Sequence, residues 1–95
     1  MTIPYGKHEI TQEDIDGVIG VLKSDFITQG SVVPQFEQQV AQYCHAQYAV
    51  AVNSATSALH LACLALGLEP GDRLWTSPIT FVASANCGLY CGAKI

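Results

Sequence analysis

Five consecutive apolar residues, Tyr48-Ala49-Val50-Ala51-Val52, run directly into Asn53-Ser54-Ala55-Thr56-Ser57-Ala58, a stretch that is small, polar and uncharged. An unbroken apolar run of this length bounded by polar residues reads as a strand covered on both faces, the kind found in parallel sheets flanked by helices. The residues after it read as the opening of a helix, with Ser54 to Ser57 offering N-cap side chains. A buried strand turning into a helix confines the chain to α/β architectures, whose ligands sit at the carboxyl ends of the strands. It also builds an anion cradle. The first helical amides lack partners and carry a partial positive charge, and Ser54, Thr56 and Ser57 add hydroxyls while Ala55 and Ala58 permit close approach. Capping alone would account for one such hydroxyl, and three within four residues point to a phosphate.

The rest of the pattern agrees with alternating strands and helices. Helices are expected over residues 11–23, 34–46, 56–66 and 81–90, with strands at 48–52 and 73–76. Thr11 with Asp14 three residues on forms a capping box, and Ile15, Val18, Ile19 and Leu22 then fall on one face that needs a partner. Pro34 suits the first position of the second helix, whose buried side is expected at Phe36, Val40 and Tyr43 or Cys44. Gly67 ends the third helix, and the turn from Thr76 to Phe81 should lie at the same sheet edge as Ser54. The stretch from Gly92 to Ile95 reads as a turn entering a further strand, so the motif is expected to continue beyond the chain.

Charged residues make up 13% of the 95 residues, about half the usual ~25%, so much of the surface is expected to be covered by something else. A net charge of −4 without a basic stripe argues against nucleic acid or an anionic membrane as partner. No apolar run reaches the length of a membrane span and no signal core opens the chain, so the expected location is the cytoplasm. Cys44, Cys63, Cys87 and Cys91 each fall among apolar residues of expected helices and read as reduced, buried thiols, with no metal site. His8, His45 and His60 lack neighbours that would make a triad, and Lys7, Lys23 and Lys94 lack an apolar setting that would activate an amine.

Neither a Walker loop nor a dinucleotide fingerprint is present. The motifs that remain are Ile3-Pro4-Tyr5-Gly6, Phe26-Ile27-Thr28-Gln29-Gly30, Asn53-Ser54-Ala55-Thr56-Ser57-Ala58-Leu59-His60, Leu66 to Asp72, and Ser77-Pro78-Ile79-Thr80-Phe81 with Val82 to Asn86. Together they resemble the start of the DegT/StrS sugar aminotransferases, over the whole chain. The resemblance implies the N-terminal part of the large domain of a fold-type I pyridoxal phosphate (PLP) transferase, similar to that of aspartate aminotransferase, with residues 1–95 forming an incomplete domain. It implies that Ala55, Thr56 and Ser57 hold the cofactor phosphate and that Phe81 covers the ring. It further implies that Tyr5, Asp25, Phe26, Ile27, Thr28 and Ala55 contact a nucleotide sugar.

Within the family the chain is most similar to the branch that aminates C4 of a UDP-linked 4-keto-6-deoxy-N-acetylhexosamine in pseudaminic acid synthesis, with glutamate as expected donor and a homodimer as expected assembly. A sibling acting on another keto sugar, or a PLP dehydratase, is the alternative within the family. A stand-alone phosphate-binding or interaction module is the alternative outside it. The Schiff-base lysine and the acidic partner of the pyridine nitrogen are implied to lie beyond residue 95, so no catalytic residue is assigned and the chain alone is expected to be inactive.

Overall fold

The computed structural model describes residues 3–95. They form four helices, α1 (Gln12–Leu22), α2 (Val32–Tyr43), α3 (Ala55–Ala65) and α4 (Ala83–Tyr90). The chain divides into two units, Met1–Ala51 with α1 and α2, and Val52–Ile95 with α3 and α4.

In the first unit α1 begins as its sequence dictates. The Thr11 hydroxyl accepts the Asp14 N–H at 3.3 Å while the Asp14 carboxylate accepts the Thr11 N–H at 2.8 Å, the reciprocal pair of a capping box. The Thr11 backbone N–H, helped by its hydroxyl, holds the Asp14 carboxyl below the usual carboxylate range. Ile15, Val18, Ile19 and Leu22 are all exposed, so the apolar face of α1 is only partly covered by the described residues. After α1 the Ser24 hydroxyl lies 2.7 Å from the Val21 carbonyl and 3.1 Å from that of Phe26. Gln29 takes a left-handed φ of 55°, and a Cβ on Gly30 would lie 2.7 Å from the Phe26 carbonyl oxygen. The loop is therefore folded tightly on itself around Phe26.

Helix α2 departs from expectation at both ends. It starts at Val32, which puts Pro34 at the third helical position, and the Ser31 side chain makes no capping bond. A third-position N–H has no intrahelical acceptor, so proline is tolerated there as at the first. At the far end His45, with φ 53°, closes a Schellman motif: its N–H donates to Gln42 O at 3.2 Å and that of Ala46 to Ala41 O at 2.9 Å. This left-handed stop ends the helix at Tyr43 rather than residue 46 and leaves Cys44 exposed at the C-cap. The buried residue of α2 is Ala41, whereas Phe36 and Tyr43 are exposed. A glycine takes φ > 0 without the Cβ penalty. His45→Gly should accordingly slow hydrogen exchange of the amides at 45 and 46 by about twofold to fivefold; unchanged or faster exchange would count against strain at this cap.

Two further Schellman motifs end α3 and α4. Gly67 (φ 75°) donates to Leu64 O and Leu68 to Cys63 O after α3, and Gly92 (φ 77°) donates to Leu89 O and Ala93 to Gly88 O after α4. Leu68, placed by its cap, packs against the core cluster of Cys63, Cys87 and Cys91, together with Leu74. These thiols are free and buried where α3 meets α4. Burial, with the Cys87 and Cys91 thiols alongside, pushes the Cys63 thiol up. A Cβ at Gly88 would meet Ile95 Cδ1 at 2.7 Å and Leu74 Cδ2 at 2.8 Å, so glycine is what lets α4 lie against the segments at 74 and 95.

The strands expected at 48–52 and 73–76 do not form ladders among the described residues. The second is reduced to a parallel bridge between Arg73 and Lys94, with Leu74 N–H donating to Lys94 O at 2.8 Å and Lys94 N–H to Asp72 O at 2.9 Å. With α4 between the bridged residues, this is a rudimentary β-α-β crossover, and it supports the reading of residues 92–95 as the entry to a strand. Over 48–52 the backbone has no partner strand, and the Ala51 N–H is satisfied instead by the Glu37 carboxylate at 2.8 Å. Tyr48 and Val50 are correspondingly exposed. A strand exists only where a neighbour supplies the other half of its hydrogen bonds.

Coverage is thin throughout. The chain leaves 8499 Å² accessible, whereas two separate globules of about 5 kDa each would together leave about 6,300 Å². Among the described residues the buried apolar set contains only alanines and cysteines, namely Ala41, Cys63, Ala83, Cys87, Cys91 and Ala93.

Candidate functional site

The cradle predicted after Val52 forms as a capped helix start. Ser54 is the N-cap of α3, extended at φ −160°, and its Oγ accepts the Ser57 N–H at 3.1 Å. The Ser57 hydroxyl donates to Asn53 Oδ1 at 2.7 Å, and the Ser54 hydroxyl lies 3.1 Å from Ser57 Oγ and 3.5 Å from Asn53 Oδ1. The hydroxyls of Ser54 and Ser57 are thus committed within the turn, as a short chain running toward Asn53. The Ala55 and Thr56 N–H groups and the Thr56 hydroxyl have no partner among the described residues. The first turn of α3 carries no acidic residue.

This donor set fits an anionic oxygen cluster. Two amides and one hydroxyl without partners belong to a turn that also carries the positive end of the helix dipole. The fit differs from the sequence reading in one respect, because Ser57 spends its hydroxyl proton on Asn53. Asn53 did not stand out in the sequence as a functional residue. An asparagine at the end of an apolar run reads equally well as a turn former, and its signal is the (i, i+4) spacing to Ser57.

Phe81 lies two residues before α4 and is exposed. With Thr76, Ser77, Pro78, Thr80 and Val82 it lines a hollow of about 330 Å³. None of the side chains from Ser54 to Ser57 lines that hollow, so Phe81 and the cradle belong to one unit without sharing a cavity. The Ser77 hydroxyl accepts the Ile79 N–H at 3.2 Å and shapes the turn ahead of Phe81. Of the remaining predicted residues, Tyr5, Asp25, Phe26, Ile27 and Thr28 belong to the first unit and are exposed. Phe26 and Ile27 line a hollow of about 360 Å³ with Gly17 and Gly20 of α1, whose missing side chains leave it open, while Asp25 and Thr28 do not line it. Among the described residues no three metal-ligating side chains converge, and no helix is long and apolar enough to cross a membrane.

Known proteins resemble this chain in sequence and in fold. Over 93 residues the chain is 44% identical to the UDP-4-amino-4,6-dideoxy-N-acetyl-beta-L-altrosamine transaminase of Campylobacter jejuni, a match covering 98% of the chain and 24% of the relative. It is also 44% identical over 91 residues to the spore coat polysaccharide biosynthesis protein SpsC of Bacillus subtilis, covering 96% of the chain and 23% of that protein. Among solved structures, Spr1654 of Streptococcus pneumoniae, described as a sugar aminotransferase and determined in its PLP form, superposes with a TM-score of 0.88 at 32% identity. That match covers 99% of the chain and 24% of Spr1654. The chain thus spans about a quarter of the length of the relatives it matches. Residues 8–95 match the DegT/DnrJ/EryC1/StrS aminotransferase family, and the chain belongs to that family as a piece of its aminotransferase fold.

Proposed function

We propose that residues 1–95 are the N-terminal part of a PLP-dependent sugar aminotransferase. The reaction is transfer of an amino group, from glutamate, to C4 of a UDP-linked 4-keto-6-deoxy-N-acetylhexosamine, in pseudaminic acid synthesis. The observation that carries this reading is the 44% identity to the Campylobacter transaminase along nearly the whole chain. Family membership and the PLP form of the structural neighbour indicate pyridoxal phosphate as the cofactor. When bound, PLP supplies the electron sink that lets an amino group move between carbon centres.

The chain's own residues bind and orient. The Ala55 and Thr56 amides and the Thr56 hydroxyl hold the phosphate, with Ser57 behind them, and Phe81 covers the pyridine ring. Tyr5, Asp25, Phe26, Ile27, Thr28 and Ala55 contact the nucleotide sugar. The Schiff-base lysine comes from the rest of the polypeptide, which works as a homodimer in the cytoplasm. The test supplies the complete polypeptide that carries residues 1–95 with PLP, the UDP-linked 4-keto sugar and ¹⁵N-labelled glutamate. Label should appear in the sugar and 2-oxoglutarate should accumulate in equal amount, while residues 1–95 alone transfer nothing. Unlabelled sugar from an enzyme that aminates other acceptors would sink the substrate assignment. The equal identity to SpsC favours a second reading, in which the acceptor is another nucleotide-linked keto sugar of a surface polysaccharide, and a panel of such acceptors separates the two.

A further inference from the structure

Side-chain hydrogen bonds among the described residues join partners no more than 4 positions apart, with one exception. The Glu37 carboxylate, midway along α2, accepts the Ala51 N–H at 2.8 Å across 14 positions, in a half-buried place. Both residues lie in the first unit. After the left-handed stop at His45 the chain returns along α2. Glu37 and Ala41 line a hollow of about 390 Å³ with Ala46, Tyr48 and Ala49, and Ala51 then meets Glu37.

An N–H carries a single hydrogen, so a strand carbonyl and the Glu37 carboxylate compete for one position at Ala51. The bond to a carboxylate is charge-assisted and roughly twice as strong as a neutral one. Without Glu37 the Ala51 N–H has no acceptor among the described residues, and a half-buried donor left unpaired costs more than the bond contributes. Ser54, the N-cap of α3, follows Ala51 by three residues, a length of chain that spans at most about 11 Å. Where the Ala51 peptide is held therefore limits where α3 can begin.

Resting on the assignment of the turn from Asn53 to Ala58 to the PLP phosphate, we propose that Glu37 is a positioning residue for that turn: its carboxylate ties the Ala51 peptide to α2 and so fixes the point from which the Ala55 and Thr56 amides are presented. Glu37 acts through the backbone and touches neither cofactor nor sugar.

The test uses the complete polypeptide in its PLP-free form. It is read by amide exchange at residue 51 and by titration with PLP and, separately, with pyridoxal, which lacks the phosphate. Glu37→Ala should speed exchange at residue 51 by about tenfold or more and weaken PLP about fivefold to tenfold, with pyridoxal affinity kept within about twofold. Glu37→Gln keeps an oxygen at the same reach and should bring both readouts to within about threefold of the original. Alanine is the better helix former, so a glutamate that merely sits in α2 would be replaced by alanine without loss. Glu37→Asp keeps the charge but falls one methylene short. It should behave like Glu37→Ala, and stands in for that variant should it fail to fold.

Unchanged exchange at residue 51 in Glu37→Ala would mean that another acceptor holds this amide, and would overturn the tether whatever PLP does. Faster exchange with unaltered PLP affinity, or equal losses of PLP and pyridoxal, would overturn the positioning role. Thr56→Val separates the two levels. If Thr56→Val weakens PLP while Glu37→Ala does not, only the role of Glu37 fails; if Thr56→Val also leaves PLP unchanged, the phosphate assignment fails with it.

Discussion

Thr56→Val in the complete polypeptide should weaken retention of PLP by about tenfold to a hundredfold, the range for a hydrogen bond to a charged group, and leave nucleotide-sugar binding within about twofold. The substitution is nearly isosteric and removes one atom that matters, the hydroxyl left without a partner in the turn while its neighbours Ser54 and Ser57 are engaged. Valine at the second helical position alters neither the Ser54 cap nor the Ala55 and Thr56 amides, so the helix start remains and two of the donors with it. The loss should therefore be partial rather than complete, and should appear in PLP affinity measured by titration of the PLP-free protein. Equal losses for PLP and the sugar would mean that Thr56 supports the site generally and does not face the phosphate.

The second large effect concerns residues 1–95 by themselves. They should show no sharp heat-absorption peak on heating and should self-associate at micromolar concentration. The physical cause is the character of what is buried. A cooperative transition comes from large side chains leaving a packed interior together, and here the buried apolar residues are alanines and cysteines, with no large side chain fully covered. Trp75, Ile79, Val50 and Tyr48 are all more than three-quarters exposed, and the backbone over 48–52 has no partner strand to pair with. Such surfaces and edges associate with whatever is available, including one another. A monodisperse monomer in sedimentation with a single cooperative melt would contradict this expectation.

Much of the local structure was legible because its causes are local. The capping box of Thr11 and Asp14 and the stop at Gly67 depend on residues within one turn of each other and appear as read, while α3 starts at Ala55 on a Ser54 cap, one residue before the expected start at Thr56. The overrun at the end of α2 came from His45, which takes the left-handed conformation that glycine usually supplies, and its sequence carries no such signal. The strands failed to appear for a different reason. The apolar run from Tyr48 to Val52 reports a preference for being sandwiched in a sheet, and a preference cannot produce a ladder without neighbouring strands. The low charge pointed the same way and agrees with the excess exposed area.

At the site, a helix start rich in hydroxyls after the apolar run was legible from composition and order. The commitment of the Ser57 proton to Asn53 was not, because it depends on a side-chain orientation four residues away. Phe81 was placed beside the cradle by the expectation of a common sheet edge. In the structure it lines its own hollow with Thr76, Ser77 and Thr80. A shared edge requires strands between the two turns, and no such ladder forms among the described residues.

The claim at the centre of this account is that the turn from Asn53 to Ala58 receives the phosphate of PLP. Hydrogen–deuterium exchange of the complete PLP-free polypeptide, followed by mass spectrometry with PLP and with pyridoxal added in turn, reads it at the residues concerned. PLP should protect the peptide spanning 53–58, where the Ala55 and Thr56 amides gain an acceptor, and pyridoxal should leave the same peptide exchanging as before. Protection by PLP that bypasses 53–58, or equal protection there by pyridoxal, would contradict the account.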